Sequence, residues 1–155
     1  MPGVASLEAG QYYAHPRNQF WSILTTLLGH QMPLPYAQRL QMLQRQHLAL
    51  WDVLHSCVRP GSLDAAIEHA TAEPNDLNGL LRTHGGIVRI CCNGGTAFSA
   101  LRRHFGDALA AQFPEVQICR LPSTSPANAG WSYARKLAAW RQGLQPALVT
   151  APIRA

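Results

Sequence analysis

The sequence predicts a three-layer α/β fold with a mainly parallel sheet, and three observations carry that prediction. Short apolar segments rich in β-branched residues alternate with longer segments of helical periodicity. Glycine, proline and asparagine separate the two kinds of segment, as in strand–turn–helix units. The length of 155 residues fits a single domain over residues 1–155 that can bury a proper core.

A first helix is predicted over residues 17–28, directly after a junction rich in rings and amides. The junction, residues 12–21, holds five rings, one guanidinium and two carboxamides. Pro16 suits the first turn of a helix and Gly29 suits its C-cap, whereas residues 1–10 show no periodicity and are predicted to be a loop. The free N–H groups at the helix start favour an anion or a hydrogen-bonding base. A hydrophobic staple with tyrosines filling the core explains the same rings equally well.

The middle of the chain is predicted to contain one surface helix and one strand. Residues 36–46 place leucines at helical spacing among glutamines and arginines. Residues 48–54 form a short apolar run, which predicts a strand. A turn at residues 59–61 and a capped helical turn over residues 62–66 follow.

Two strand–helix units fill the second half of the chain. A helix is predicted over residues 74–84, ended by two glycines, and a buried strand over residues 87–92. A helix over residues 96–105, a strand over residues 116–121 and a last helix over residues 131–144 complete the pattern.

Polar segments follow the two later strands at the point where each strand ends. Residues 93–95, Asn-Gly-Gly, follow one strand, and the Ser/Thr/Pro segment 122–128 follows the other. Ligands of parallel sheets lie beyond the carboxyl ends of the strands, so both segments and the junction are predicted to face one crevice. Taken singly, the first is more often a plain turn and the second more often a helix cap.

Composition favours a polyanionic partner in the cytoplasm. The formal net charge is +5 and the pI is near 9.4, which attracts polyanions without defining a site. No membrane span or secretory signal is visible in the sequence, so the expected location is cytoplasmic, with the nucleoid DNA.

The four cysteines give no metal-ligand spacing, so neither a metal nor an iron–sulfur cluster is predicted, and no cofactor. Cys91 and Cys92 are adjacent and poorly placed to pair with each other. All four cysteines are interpreted as buried small hydrophobes in a reducing compartment.

A shortage of carboxylates restricts the chemistry of the predicted crevice. Glu8 is the only acid before Asp52, which is interpreted as structural, so the usual pair of acids is missing. The crevice offers amides, hydroxyls, a cation and rings. These groups suit a reaction in which the leaving group takes the electron pair of the broken bond and a water is held in line with that bond. Hydrolysis of an N-glycosidic bond fits, and the rings plus Arg17 also suit a single-stranded nucleic acid groove.

Three motifs together resemble the uracil-DNA glycosylase superfamily. They are residues 12–21, residues 93–97 and residues 121–128, and they are most similar to the sixth family, the hypoxanthine-DNA glycosylases. The core of the first motif is also similar to the mismatch-specific uracil/thymine-DNA glycosylases. The resemblance implies an α/β/α sandwich around a four-stranded, mainly parallel sheet. It further implies a monomeric, monofunctional enzyme that flips hypoxanthine, or else uracil, out of DNA and needs no cofactor.

The resemblance also implies roles for single residues. Met1 takes the place of an asparagine that orients the attacking water in the mismatch-specific relatives, and Asn18 is expected to compensate as the catalytic residue. Tyr13 is expected to stack on the extruded base. The further base-binding candidates are His15, Phe20 and Asn93. The expected DNA contacts are Ser123, Thr124, Ser125, Pro126, Asn128, Arg17 and Arg59. His15 is as readily a satisfied core histidine, and for Arg135, Lys136 and Arg141 a solvated helix face competes with a phosphate contact.

One departure from the resemblance bears on the sheet. Relatives have a strand ahead of residues 1–3, inside the sheet, and this chain begins at Met1. The expectation is a start codon placed too far downstream, or a truncated chain. Two other functions stay open: a nucleic acid-binding module of the same fold without the chemistry, and a hydrolase of free nucleosides.

Overall fold

The computed structural model describes residues 1–31, 33–61 and 63–150, with side chains as far as residue 145. The helices are α1 (Val4–Ala9), α2 (Phe20–Leu27), α3 (Tyr36–Arg45), α4 (Leu77–Thr83), α5 (Gly95–Gln112) and α6 (Tyr133–Thr150). The strands are β1 (Leu54–Ser56), β2 (Glu73–Pro74), β3 (Arg89–Asn93) and β4 (Gln117–Leu121). The predicted α/β class is confirmed. None of the described helices is long and apolar enough to cross a membrane.

The strands form two small sheets. β3 and β4 pair in parallel, with Asn93 opposite Leu121 at their carboxyl ends, and β1 pairs with β2 in antiparallel orientation. The prediction of one four-stranded sheet is corrected in this respect. A wide groove separates the two pairs, and strands must lie about 4.8 Å apart to share hydrogen bonds.

The groove has a volume of about 2570 Å³ and runs between residues 48–54 and one edge of β3. Residues 48–53 have no regular structure, so the strand predicted over 48–54 is wrong except at Leu54, where β1 begins. Within the described part of the chain, β3 has a strand partner only on its β4 side. Trp51 and Val88, on the two sides of the groove, are about half exposed, at 52% and 51%.

Several element boundaries differ from the predictions for local reasons. The loop predicted over residues 1–10 contains α1, which Gly10 ends in the left-handed conformation at φ 59°, with its N–H bonded to Leu7 O. α2 begins at Phe20 and not at residue 17, because Asn18 N–H bonds to His15 O in a preceding turn. α4 begins at Leu77 because the Asp76 carboxylate caps it, accepting from Gly79 N–H at 2.8 Å. The helical turn predicted from residue 62 is a 3₁₀ turn over Asp64–Ala66, and residue 62 itself lies outside the described residues.

The cysteines are only partly the buried hydrophobes predicted. All four are free, Cys92 is buried, and Cys57, Cys91 and Cys119 are partly exposed. The Sγ atoms of Cys91 and Cys119 lie 3.1 Å apart because parallel register places the two residues opposite each other. Their hydrogen bond, with help from Arg89, lowers the pKa of Cys119 to about 6.

Two hydrophobic clusters flank the sheet formed by β3 and β4. The first joins α2, α3, β4 and α6 and includes Phe20, Trp21, Leu121 and Trp140. The second joins α4, α5 and β3 and includes Leu101 and Phe105. The carboxyl ends of β3 and β4 emerge between the clusters, next to the start of α2.

Candidate functional site

The junction before α2 is a strained turn held by contacts on both sides. Tyr13 has φ 54°, a left-handed conformation that costs a non-glycine residue about 1–3 kcal/mol. The buried Ser6 hydroxyl accepts from Ala14 N–H at 3.1 Å, and Trp21 Nε1 donates to Tyr12 O at 2.9 Å. Such strain persists only where the surrounding structure enforces it, and it concentrates at functional sites.

The Tyr13 ring lies flat against the Phe20 ring. Their centroids are 3.8 Å apart and the planes are inclined by 19°. Phe20 is 2% exposed and meets Trp21 and Trp140 edge to face, so it supports Tyr13 from below. Burial raises the pKa of Tyr13 to about 12, although a hydrogen bond with Asn93 acts in the opposite direction. A tyrosine is already protonated at neutral pH, and this shift extends the uncharged state of the ring to higher pH.

Asn18 stands where the turn meets α2, on the wall of the groove. Its Oδ1 accepts from Phe20 N–H at 3.0 Å, which fixes which end of the carboxamide is oxygen. A carbonyl oxygen has a second lone pair, and no acceptor among the described residues bonds Nδ2. Asn18 can therefore bond a small molecule in the groove without releasing the helix start.

His15 and Arg17 flank Asn18 on the same wall. His15 Nδ1 accepts from Arg17 N–H at 3.2 Å, so in this arrangement Nε2 is the ring nitrogen that carries a proton. The Arg17 side chain is exposed and lines the groove. This places a ring N–H donor and a cation beside the carboxamide.

The segment after β4, here called the hydroxyl loop (residues 122–128), closes the same end of the groove. Ser123 Oγ accepts from Ser125 N–H and Ser125 Oγ from Ala127 N–H, both at 3.2 Å. Asn128 Nδ2 donates to Ser123 O at 3.0 Å, and Pro126 is exposed. Both serine hydroxyls accept from the backbone, so their protons stay available to an anion such as phosphate.

Thr124 is the exception within the hydroxyl loop, because its side chain faces inward and is fully buried. Asn93 Nδ2 donates to Thr124 Oγ1 at 2.9 Å, and Thr124 N–H donates to Asn93 Oδ1 at 3.0 Å. Thr124 therefore has no free surface for DNA, and Asn93 uses both ends of its carboxamide inside the protein. Asn93 also lines the groove, and each end of its carboxamide keeps one further hydrogen-bonding position, so its predicted base contact stays a prediction.

The cations predicted to contact phosphate fall into different environments. The Arg59 side chain is 7% exposed and is held by Pro2 O at 2.5 Å and Asp64 Oδ1 at 3.6 Å, so it fastens the start of the chain. Lys136 is only 2% exposed, which fits neither the solvated helix face nor the phosphate contact considered for it, and burial lowers its pKa. Arg135 and Arg141 are exposed, with Arg135 over the Trp131 ring at 4.6 Å.

Some contacts that build the site carry no sequence pattern. Trp140 Nε1 donates to Pro122 O at 3.0 Å, and Tyr133 Oη shares hydrogen bonds with Ser22 and Thr26. The first bond fastens α6 to the hydroxyl loop 18 residues away in sequence, and the others fasten α6 to α2 over 107 and 111 residues. Asp52 pairs with the Met1 amino group at 3.4 Å. In the described residues, no three His, Cys, Asp or Glu side chains gather where they would hold a metal.

Gly94 provides a sharp test of the close approach between β3 and the hydroxyl loop. Its φ is 101°, and an added Cβ would lie 3.0 Å from Ser123 Cβ. We expect Gly94→Ala to lower the free energy of unfolding by about 1–3 kcal/mol and to weaken DNA binding by displacing Ser123. Urea unfolding and fluorescence anisotropy with a labelled duplex measure the two effects.

Gly106→Ala is the matched control for that variant. Gly106 lies inside α5, where an added Cβ would have no atom nearer than 3.9 Å. Alanine should stabilise the helix by about 0.5–1 kcal/mol and leave DNA binding unchanged. Equal destabilisation of the two variants would contradict the proposed contact with Ser123.

Comparison with known proteins gives a consistent result. The family profile of the uracil DNA glycosylase superfamily matches residues 1–144. Hypoxanthine DNA glycosylase of Methanosarcina acetivorans is 32% identical over 139 residues, which are 88% of this chain and 81% of that protein. Hypoxanthine DNA glycosylase of Methanosarcina barkeri is 38% identical over 69 residues, 44% of each chain. A solution NMR structure from M. acetivorans, provisionally assigned as a uracil DNA glycosylase, superposes with a TM-score of 0.72 at 30% identity, covering 91% of this chain and 84% of that one.

Proposed function

The chain belongs to the uracil DNA glycosylase superfamily, and from this premise we propose that it excises a deaminated base from DNA. The base is hypoxanthine, with uracil as a further candidate, because two relatives carry the name hypoxanthine DNA glycosylase. The enzyme hydrolyses the N-glycosidic bond and leaves an abasic site. It works where the DNA lies, in the cytoplasm.

The chemistry follows from the groups at the closed end of the groove. The target nucleotide leaves the stack, and its base lies against the uncharged face of Tyr13. The bond from C1′ to the base nitrogen breaks with its electron pair going to the base, and the sugar passes through an oxocarbenium-like state. A water held by the second lone pair of Asn18 Oδ1 adds to C1′, and its proton passes to the departing base, which carries the electron pair of the broken bond. The nucleophile needs positioning more than activation, since the cation-like sugar is already reactive.

One observation carries the proposal: a carboxamide, a flat ring and two hydroxyl groups meet at one end of the groove. Asn18, Tyr13 and Ser123 come from segments about 110 residues apart in the chain, and all three line the groove. The ring can stack on a base, the hydroxyls can bind a phosphate, and the carboxamide on the groove wall can hold the water. The net charge of +5 adds general attraction to DNA.

A panel of labelled oligonucleotides tests the function. Each duplex carries one I·T, U·G or xanthine·C pair, with matched single strands, and alkali converts an abasic site into a strand break. We expect breakage at inosine in an enzyme-dependent, metal-independent manner. Equal retention of damaged and normal duplex with no abasic product would favour the non-catalytic DNA-binding module. Cleavage of free deoxyinosine but not of DNA would favour the nucleoside hydrolase.

A further inference from the structure

We propose that Asn93 and Thr124 are positioning residues that couple the DNA-contacting hydroxyl loop to the placement of Asn18. This inference rests on the proposed function for the roles of the loop and of Asn18. It assigns Asn93 a task different from base contact, and it makes the end of β3 a mechanical link between two parts of the site.

Thr124 is held by hydrogen bonds through its side chain and through both of its backbone groups. Its side-chain oxygen, its N–H and its carbonyl oxygen all have partners, at 2.9 Å, 3.0 Å and 3.0 Å. The first two bonds go to Asn93, and the third comes from Gln19 N–H. Thr124 is fully buried, so water cannot replace any of these partners. The centre of the hydroxyl loop is therefore fixed to β3 and to the start of α2 at once.

Asn93 lies between β3 and the hydroxyl loop. It is the last residue of β3, opposite Leu121 at the end of β4, and Gly94 N–H donates to Leu121 O at 3.0 Å. The two strand ends are thus joined by a hydrogen bond at the residue that follows Asn93. Both ends of the Asn93 carboxamide bond Thr124. A movement of the hydroxyl loop therefore acts on the end of β3 through this one carboxamide.

The bonds of Thr124 also reach the backbone beside Asn18, whose carboxamide is proposed to hold the water. Gln19, which donates to Thr124 O, follows Asn18 directly, and Gln19 O accepts from Ile23 N–H at 2.9 Å in α2. The backbone on one side of Asn18 is therefore set by Thr124, and on the other side by the bond from Asn18 N–H to His15 O at 2.9 Å. Shifting Thr124 shifts one of the two backbone bonds that orient Asn18.

A double-mutant cycle on the single-turnover excision rate separates coupling from mere stability. In the wild-type background, Ser125→Ala should slow excision from an I·T duplex by at least about fivefold, the lower end of typical coupling between sites. In the Asn93→Ala background, the same Ser125 change should slow excision by less than about twofold, because the link is already broken. Thr124→Ser keeps the hydroxyl and should retain the large effect, whereas Thr124→Val should lose it.

Hydrogen exchange of the Gln19 amide gives a second readout that needs no catalysis. Binding of a duplex with a stable abasic analogue should slow this exchange at least about fivefold in the wild type and leave it unchanged in Asn93→Ala. Rates that multiply independently in the cycle, with Gln19 protection unaffected by Asn93→Ala, would overturn the inference. If no base is excised but the protection still depends on Asn93, the proposed function fails and the coupling stands.

Discussion

Asn18→Ala should slow single-turnover base excision by about 10²–10³-fold, the loss typical of removing one preorganised polar group from an active site. The variant removes the oxygen whose second lone pair is proposed to hold the water, and it also removes the bond to Phe20 N–H. DNA affinity should change far less than the rate, because Asn18 touches neither the hydroxyl loop nor a phosphate in the proposed complex. Alkali-sensitive breakage at inosine, with enzyme in excess, measures the rate.

Asn18→Asp separates the water-holding role from the support of α2. The aspartate keeps an oxygen for Phe20 N–H, so its melting temperature should stay close to that of the wild type, and it should retain more activity than alanine. Gln41→Ala removes an exposed carboxamide from α3 and serves as the neutral control. An Asn18→Ala rate within threefold of the wild type would exclude Asn18 as the catalytic residue.

Tyr13→Ala should weaken binding of a base-containing duplex by about 10–100-fold, since stacking of one base on an aromatic ring contributes roughly 1–3 kcal/mol. The suitable ligand is a duplex with 2′-fluoro-deoxyinosine, whose glycosidic bond resists cleavage, measured by fluorescence anisotropy. Tyr13→Phe keeps the ring against Phe20 and should bind within about twofold of the wild type. The neutral phenol, with its pKa near 12, makes no ionic contribution that phenylalanine would lose.

A duplex with an abasic analogue provides the internal control for the Tyr13 experiment. It offers no base to stack, so Tyr13→Ala should bind it almost as tightly as the wild type does. Equal weakening on both duplexes would show that Tyr13 acts through the fold of the junction, whose positive φ it also carries, and not through the base.

The sequence predicts the parts of this protein whose signals are local. The strand Arg89–Asn93 and the helix α6 follow from β-branching and from periodicity, and the parallel pairing of β3 with β4 follows from the helix α5 that connects them. The meeting of the junction with the hydroxyl loop was also predictable, because carboxyl ends of parallel strands share one edge. The roles of Asn18 and Tyr13 came from the resemblance to a family and not from spacing.

The errors concern tertiary contacts that a sequence does not display. Thr124 carries the same hydroxyl whether it faces DNA or the protein interior, and only the fold shows that it is buried and bonded to Asn93. Arg59 and Lys136 are basic residues in ordinary surface patterns, yet one holds Pro2 O and the other is buried. The segment predicted as a strand over residues 48–54 has the right composition, yet among the described residues only Leu54 at its end pairs with another strand, β2.

In the part of the chain that the structure describes, one edge of β3 has no strand partner, and this has a practical consequence for handling the 155-residue chain. A free row of backbone N–H and C=O groups beside apolar side chains recruits further chains, and Trp51 and Val88 supply the apolar surface here. We expect concentrated preparations to self-associate through this edge. Aggregates would obstruct the entrance that substrate must use, so turnover per molecule would fall as protein concentration rises. Excision rates should therefore be measured at nanomolar enzyme, where they reflect the isolated chain. Light scattering of the stock shows whether it contains aggregates.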